Sequence, residues 1–339
     1  MNKKQKLDSN HELTLSNIEV IPVLSDGILG PIKLLNVIVL KIKDKKMASK
    51  SVKETSLHFP VPDLQHLKRI KRTEFNSSDS LFIYIDYLTK FNISFDFEEN
   101  EIFSNVSNEQ EDYILNQIRK RGFDLSLYEK EVFVSKVPLY PPKTRKMYEE
   151  SVKYWPCSFH EDLYLSKMIS GNFFDSDELV KIIKNMNEVL LYSNSIEDEN
   201  DSGVILIMNN KTNIAKVMTK SSRSKHPLQH ATMVAIDLVA HQHGGGAWVH
   251  DEQNLSKFTK TAVPPSDNKD DIEYICTNCD VYLSHEPCMM CAMALLHSRV
   301  RRVFYFYPNS VKGAINSVCK LHTLPGINHR YEVFNIKMK

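Results

Sequence analysis

The chain has 339 residues, 42% apolar and 25% charged, and its 43 Lys and Arg nearly cancel its 42 Asp and Glu for a formal net charge of +1. That length suits two domains of ordinary size, with the composition of a folded water-soluble protein. The balance excludes a globally basic nucleic-acid binder, and no run reaches the roughly 20 apolar residues a membrane-spanning helix needs. Residues 1–10 are polar, unlike a secretory signal, so the expected location is nucleus and cytoplasm.

In chain order, residues 1–15 read as a disordered tail. Runs rich in Val, Ile and Leu at 18–24 and 34–42 read as strands, with further strands at 81–88 and 131–137. Apolar spacing predicts a helix at 109–120, and 45–56 is another candidate. Strands interleaved with helices imply a small α+β domain over 16–142, its end punctuated by Pro138, Pro141 and Pro142. Helices are expected at 144–155, 160–170 and 175–193, the last capped by Asp175, Ser176 or Asp177. A hairpin follows at 203–208 and 213–220, with Asn209 and Asn210 in its turn, then a helix at 230–241. The Gly-, Ser-, Pro- and Lys-rich stretch 244–271 lacks periodicity and reads as a mobile insertion. Strands at 274–276 and 281–283, a helix at 288–297, and strands at 303–307 and 331–336 complete a second α/β domain over 143–339, a mixed sheet flanked by helices.

Six cysteines stand at 157, 276, 279, 288, 291 and 319, four of them in two C-x-x-C pairs. In a chain of this length without a secretory signal, that pattern favours metal over disulfides. Cys288 and Cys291, three apart at the opening of a helix, project from one face, and the helix N-terminus favours thiolate. Pro287 sits where its fixed φ and missing N–H cost little. His230 opens its own helix and is the third candidate ligand, leaving one tetrahedral position open. Two alternatives stay open: a closed Cys₄ site using Cys276 and Cys279, and His226 in place of His230. Cys157 and Cys319 read as structural.

Zinc nucleobase deaminases pair P-C-x-x-C with H-x-E, whose Glu moves the protons. Here His230-Ala231 is followed by Thr232. A hydroxyl orients water but does not exchange protons near neutral pH as a tuned carboxyl does, and losing general acid/base help costs about 10²–10⁴ in rate. Glu286, before Pro287, is expected to point away from the metal, and Asp237 lies more than a helical turn beyond Thr232. The chain is therefore expected not to deaminate unaided.

With these residues placed, the chain resembles the cytidine/deoxycytidylate deaminase superfamily. More closely, it is similar to the non-catalytic subunit of the eukaryotic heterodimeric tRNA adenosine deaminase, which converts wobble adenosine to inosine. The resemblance rests on 226–234 (HPLQHATMV), 282–300 (YLSHEPCMMCAMALLHSRV), 64–72 (LQHLKRIKR) and 153–156 (KYWP). Thr232 departs from the apolar residue usual in that subunit. The resemblance implies a cytidine-deaminase-like C-terminal fold, a ferredoxin-like N-terminal domain and Zn²⁺ on His230, Cys288 and Cys291. It also implies a catalytic deaminase subunit as partner and the tRNA anticodon arm as ligand. On that basis Lys68, Arg69, Lys71 and Arg72, and Lys143, Arg145 and Lys146 beside Lys136, become tRNA-backbone contacts, which position rather than specify. Tyr140, Tyr148, Tyr154 and Trp155 could stack on bases, although core packing is their commoner fate. Arg299, Arg301 and Arg302 would face RNA or form ion pairs. The competing readings are a self-sufficient cytidine or nucleotide deaminase with another base, and a zinc-stabilised interaction module without an RNA role.

Overall fold

The computed structural model describes residues 12–75, 77–97, 101–196, 203–211, 214–223, 226–242, 244–250 and 274–339. The strands are β1 (Ile18–Pro22), β2 (Leu34–Ile42), β3 (Ile70–Phe75), β4 (Ser78–Tyr87), β5 (Phe103–Asn105), β6 (Tyr128–Pro138), β7 (Val204–Asn209), β8 (Ile214–Lys220), β9 (Cys279–His285), β10 (Arg302–Tyr307) and β11 (Glu332–Met338). The helices are α1 (Asp26–Leu29), α2 (Ala48–His58), α3 (Asn108–Lys120), α4 (Arg145–Tyr154), α5 (Leu163–Ile169), α6 (Ser176–Asn194), α7 (Ala231–Gln242) and α8 (Met289–His297).

The chain forms two compact units, one from 26–166 and one from residues up to 25 together with 167–339. This differs from boundaries at 16 and 142/143. β1 pairs antiparallel with β11, from Ile18 opposite Met338 to Pro22 opposite Phe334, so the first strand completes the sheet of the C-terminal unit. The helix after the proline cluster stays with the earlier unit, where buried Trp155 donates its indole N–H to Lys68 O at 2.7 Å. Of the expected tail and insertion, residues 1–11 and 251–273 lie outside the described residues.

The 26–166 unit carries the sheet β3-β4-β2-β6-β5, with every neighbour antiparallel. Its order β2-α2-β3-β4-α3-β6 is the split βαβ arrangement of ferredoxin-like domains, extended by the short β5. Period-2 alternation gives the sheet two apolar faces. Ile38, Leu40, Ile83, Ile85 and Val134 pack with Ile114, Leu115 and Ile118 of α3, while Val37, Val39, Phe82 and Phe133 pack with Leu64, Leu67 and Trp155.

The other unit is built on the sheet β1-β11-β10-β9-β7-β8, in which β10 runs parallel to β9 and β11. Both faces are covered, which explains the near-continuous apolar strands VILIMN and RVFYFY. Ile205, Ile207, Val281, Leu283 and Val303 face α7 and α8. Val204, Leu206, Tyr282, Phe304 and Phe334 face Ile182, Met186, Val189 and Leu190 of α6. Asp175 caps α6 by accepting from Glu178 N at 2.8 Å.

Residues 274–276, expected as a strand, are not one. They lead into a turn with Ile275 at φ 31° and Asn278 at φ 60°. The extended segment starts only at Cys279, on the far side of that reversal.

Candidate metal centre

β9 delivers the chain to Glu286-Pro287, and Cys288 sits as the N-cap of α8 in extended conformation (φ −72°, ψ 173°). Its carbonyl accepts the first helical bond from Ala292 N at 2.9 Å, which places Cys291 in the opening turn. His230 stands immediately before α7, its carbonyl accepting from Val234 N at 3.0 Å. Two helix N-termini thus present one imidazole and two thiols to a single point. His230 Nδ1 lies 3.5 Å from Cys288 Sγ and 3.5 Å from Cys291 Sγ. Zn–S bonds of about 2.3 Å and Zn–N bonds of about 2.05 Å at tetrahedral angles require N···S edges of roughly 3.6 Å. The donor set and its edges therefore fit a zinc ion.

The two thiols share charge unequally. A hydrogen bond from Cys291, joined by the Cys291 N–H and the His230 ring, outweighs burial and pulls the Cys288 thiol down to about 5. The same bond, with burial, pushes Cys291 up. One thiolate is thus present without metal, and a cation on the pair would take the place of the shared proton. Cys276 and Cys279 do not join this group among the described residues; both are fully buried in the core beneath α7 and α8. His226 is also outside it, its Nδ1 accepting from Leu228 N at 3.2 Å.

The ligands border a cavity of about 200 Å³, whose walls include Ser221, Arg223, Thr232, Ser284, His285, Glu286, Asn309 and Lys312. Thr232 is 3% exposed, and its side chain works against the upward shift of the Cys291 thiol without overcoming it. Glu286 is the one carboxylate among the described lining residues. Its Oε1 accepts from the backbone N–H groups of Ile315 (3.3 Å), Asn316 (2.7 Å) and Ser317 (2.8 Å). Its Oε2 accepts from Asn309 N at 2.9 Å and from the Ser317 hydroxyl. A Cβ at Gly313 would overlap that carboxylate, so the 309–317 loop is wrapped tightly around it. Asp237 does not line the cavity; it holds Ala247 N, Trp248 N and His250 Nε2. Burial raises its pKa, but those hydrogen bonds outweigh burial and leave it lowered. Glu286 and Asp237, the two carboxylates weighed as substitutes for the Glu of the motif, are thus committed to loops.

The basic residues divide sharply. Arg69 is not a surface cation: its guanidinium donates to Thr55 O (3.3 Å), Phe59 O (2.8 Å) and Ile85 O (2.8 Å) and lies 4.3 Å from the Tyr84 ring, and burial lowers its pKa. Lys71 donates to Tyr154 O at 2.8 Å beside Trp155, with its pKa also lowered by burial. Arg72 is exposed and held on Asp79 through two nitrogens. Arg145 pairs with Glu149 at 3.1 Å. Lys68, Lys143 and Lys146 are exposed. Lys136 donates to Glu101 O at 2.7 Å, and Tyr148 stacks on Phe159 at 4.8 Å. Arg302, read as RNA-facing or ion-paired, is 6% exposed and clamped between Asp280 and Glu178, tying β10 to β9 and α6. Sequence reasoning missed that clamp. Its signal was a charged residue opening an otherwise apolar strand, with an acid at the matching place in β9.

A mixed sheet whose two flanking helices aim an imidazole and a thiol pair at one point defines a cytidine-deaminase-like zinc fold, and residues 180–307 match the cytidine and deoxycytidylate deaminase zinc-binding region. Residues 35–155 match the N-terminal domain of tRNA-specific adenosine deaminase TAD3. The chain belongs to the tRNA-specific adenosine deaminase-like protein 3 family. It is 32% identical over 318 residues to the Danio rerio "Probable inactive tRNA-specific adenosine deaminase-like protein 3", covering 93% of this chain and 90% of that protein. The Homo sapiens protein of the same name is 28% identical, over 93% of this chain and 88% of its own. The Saccharomyces cerevisiae "tRNA-specific adenosine deaminase subunit TAD3" is 24% identical, over 89% of this chain and 84% of its own.

Proposed function

We propose that this chain is the non-catalytic, tRNA-binding subunit of a heterodimeric tRNA adenosine deaminase that converts wobble adenosine to inosine, with its partner supplying the catalytic site. The observation that carries this reading is the acid side of the cavity. Thr232 follows His230-Ala231 where the motif has Glu, and both oxygens of Glu286 accept from backbone N–H groups. Zinc on His230, Cys288 and Cys291 would supply Lewis-acid activation of a water. Among the described residues lining the cavity, no free carboxylate stands ready to take that water's proton and pass protons to a ring nitrogen and a leaving amine, the work of the Glu in an active deaminase. The His230–Cys288–Cys291 set then serves the fold, joining the starts of α7 and α8.

For RNA, the proposed contacts are the exposed Lys68, Lys143 and Lys146, with Arg72 and Arg145 reachable by exchange of exposed ion pairs, which contribute little to stability. Arg69 is removed from that set and Lys71 reduced to a partial contributor by their backbone bonds. The test is co-expression with a catalytic deaminase subunit and measurement of inosine at the wobble position. Formation of inosine by the pair and by neither chain alone supports the reading. Equal activity of the partner without this chain would refute it.

A further inference from the structure

Downstream of the cavity, α7 carries Asp237 and His241, four residues apart and hence on one helix face. Just past the helix the chain reverses through Gly244 (φ 79°) and Gly246 (φ 101°), and Gly245 N returns to Ala240 O at 2.9 Å. At Gly246 a Cβ would overlap the His241 ring, so the turn is shaped around that imidazole. The reversal brings His250 back onto the same face. Residues 244–250, expected as part of a mobile insertion, are therefore anchored to α7.

Two imidazole nitrogens converge on one carboxylate oxygen. His250 Nε2 is 2.6 Å from Asp237 Oδ2, and His241 Nε2 is 3.4 Å from the same atom. All three ligand atoms lie within 4.8 Å of one another. His241 Nε2 donates to Trp248 O at 2.8 Å, and a cation bound to that nitrogen would displace the proton. The other carboxylate oxygen accepts from Ala247 N at 2.6 Å, which fixes the carboxylate plane. Asp237 and His250 are buried, with side chains 9% and 8% exposed, while His241 is 43% exposed and leaves a path from solvent. With metal–ligand bonds of about 2.05 Å, neighbouring N and O ligands stand roughly 2.9 Å apart in octahedral and 3.3 Å apart in tetrahedral geometry. The observed separations bracket those values. Two imidazoles and one carboxylate with open positions is a donor set suited to first-row divalent metals.

We propose that Asp237, His241 and His250 bind a divalent first-row metal ion, separately from the cysteine-lined centre. Such an ion pins the 244–250 turn to α7, the helix whose N-terminus carries His230. The inference stands independently of the tRNA role. The test uses the full-length, tag-free chain, stripped of metal, reloaded with Zn²⁺ or Co²⁺ and passed over a desalting column. Two equivalents are expected in the parent chain, and one in a His241→Ala/His250→Ala variant. With Co²⁺, that variant should keep the intense sulfur-to-metal charge-transfer band and lose only weak bands of nitrogen and oxygen ligation. A Cys288→Ser/Cys291→Ser variant that remains folded should show the reverse. A single equivalent in the parent chain, or unchanged stoichiometry in the histidine variant, overturns the proposal and leaves the group as a hydrogen-bonded clasp.

Discussion

His230, Cys288 and Cys291 gather on one side of the cavity, with His230 Nδ1 3.5 Å from each sulfur. On the other side, Thr232 offers a hydroxyl in place of a carboxylate, and Glu286 has both oxygens engaged by the 309–317 loop. The two sides are built from the same helix starts and strand end, yet one gathers donors suited to a cation and the other, among the described residues, presents no free carboxylate. A metal constrains its ligands through bond lengths and angles, and that constraint persists when it serves the fold alone. A general acid has no such structural duty, so its position can be occupied by any side chain that packs.

The largest effect expected is on the ligand side. Replacing Cys288 and Cys291 together with Ser should abolish zinc binding at this centre and lower the thermal midpoint sharply, as read by metal analysis and calorimetry. Both thiols must be unprotonated to hold the ion, so zinc affinity should fall steeply as pH is lowered, as read by metal analysis across a pH series. Next comes Glu286→Ala, which strips four N–H groups of their acceptor. Only the Ile315 bond is buried, so at about 1–3 kcal/mol for that N–H and about 1 kcal/mol for each part-buried bond lost, a loss of a few kcal/mol is expected in urea unfolding. A loss below about 1 kcal/mol would show the loop does not depend on that carboxylate.

The basic strand offers a sharper contrast. Arg69→Met should destabilise the 26–166 unit by about 2–3 kcal/mol through three lost carbonyl bonds, with the salt dependence of tRNA binding unchanged. Changing Lys68, Lys143 and Lys146 together to Ala should leave stability nearly constant and reduce the log–log salt slope by about 2–3. Interchanged outcomes would reverse the assignment of buried and RNA-facing cations. The smallest effect is expected for Thr232→Val, which removes the hydroxyl that favours the Cys291 thiolate: zinc affinity should fall by about tenfold, with inosine formation by the heterodimer unaltered.

The meeting of His230, Cys288 and Cys291 was legible in the sequence because helix-start spacing and coordination chemistry restrict the choices, and β2 at 34–42 was legible because its apolar run is continuous. The partnership of β1 with β11 was not, since a strand pairing across more than three hundred residues leaves no local mark. β3 was hidden inside the basic run: it is half-exposed, with Arg72 and Glu74 on its solvent side, so charge masked the alternation. The same exposure pattern concealed the inward turn of Arg69, whose three acceptors come from α2, the residue following it and β4. A charge run records composition, and only the fold decides which cations remain available.

The central claim is that this cavity keeps a cation site without a proton relay. It is tested most directly by incubating the zinc-loaded chain alone with tRNA and with free adenosine and cytidine, and measuring ammonia and deaminated product. No turnover above the zinc-free control is predicted. Product formation that disappears in a folded His230→Ala variant would contradict the account.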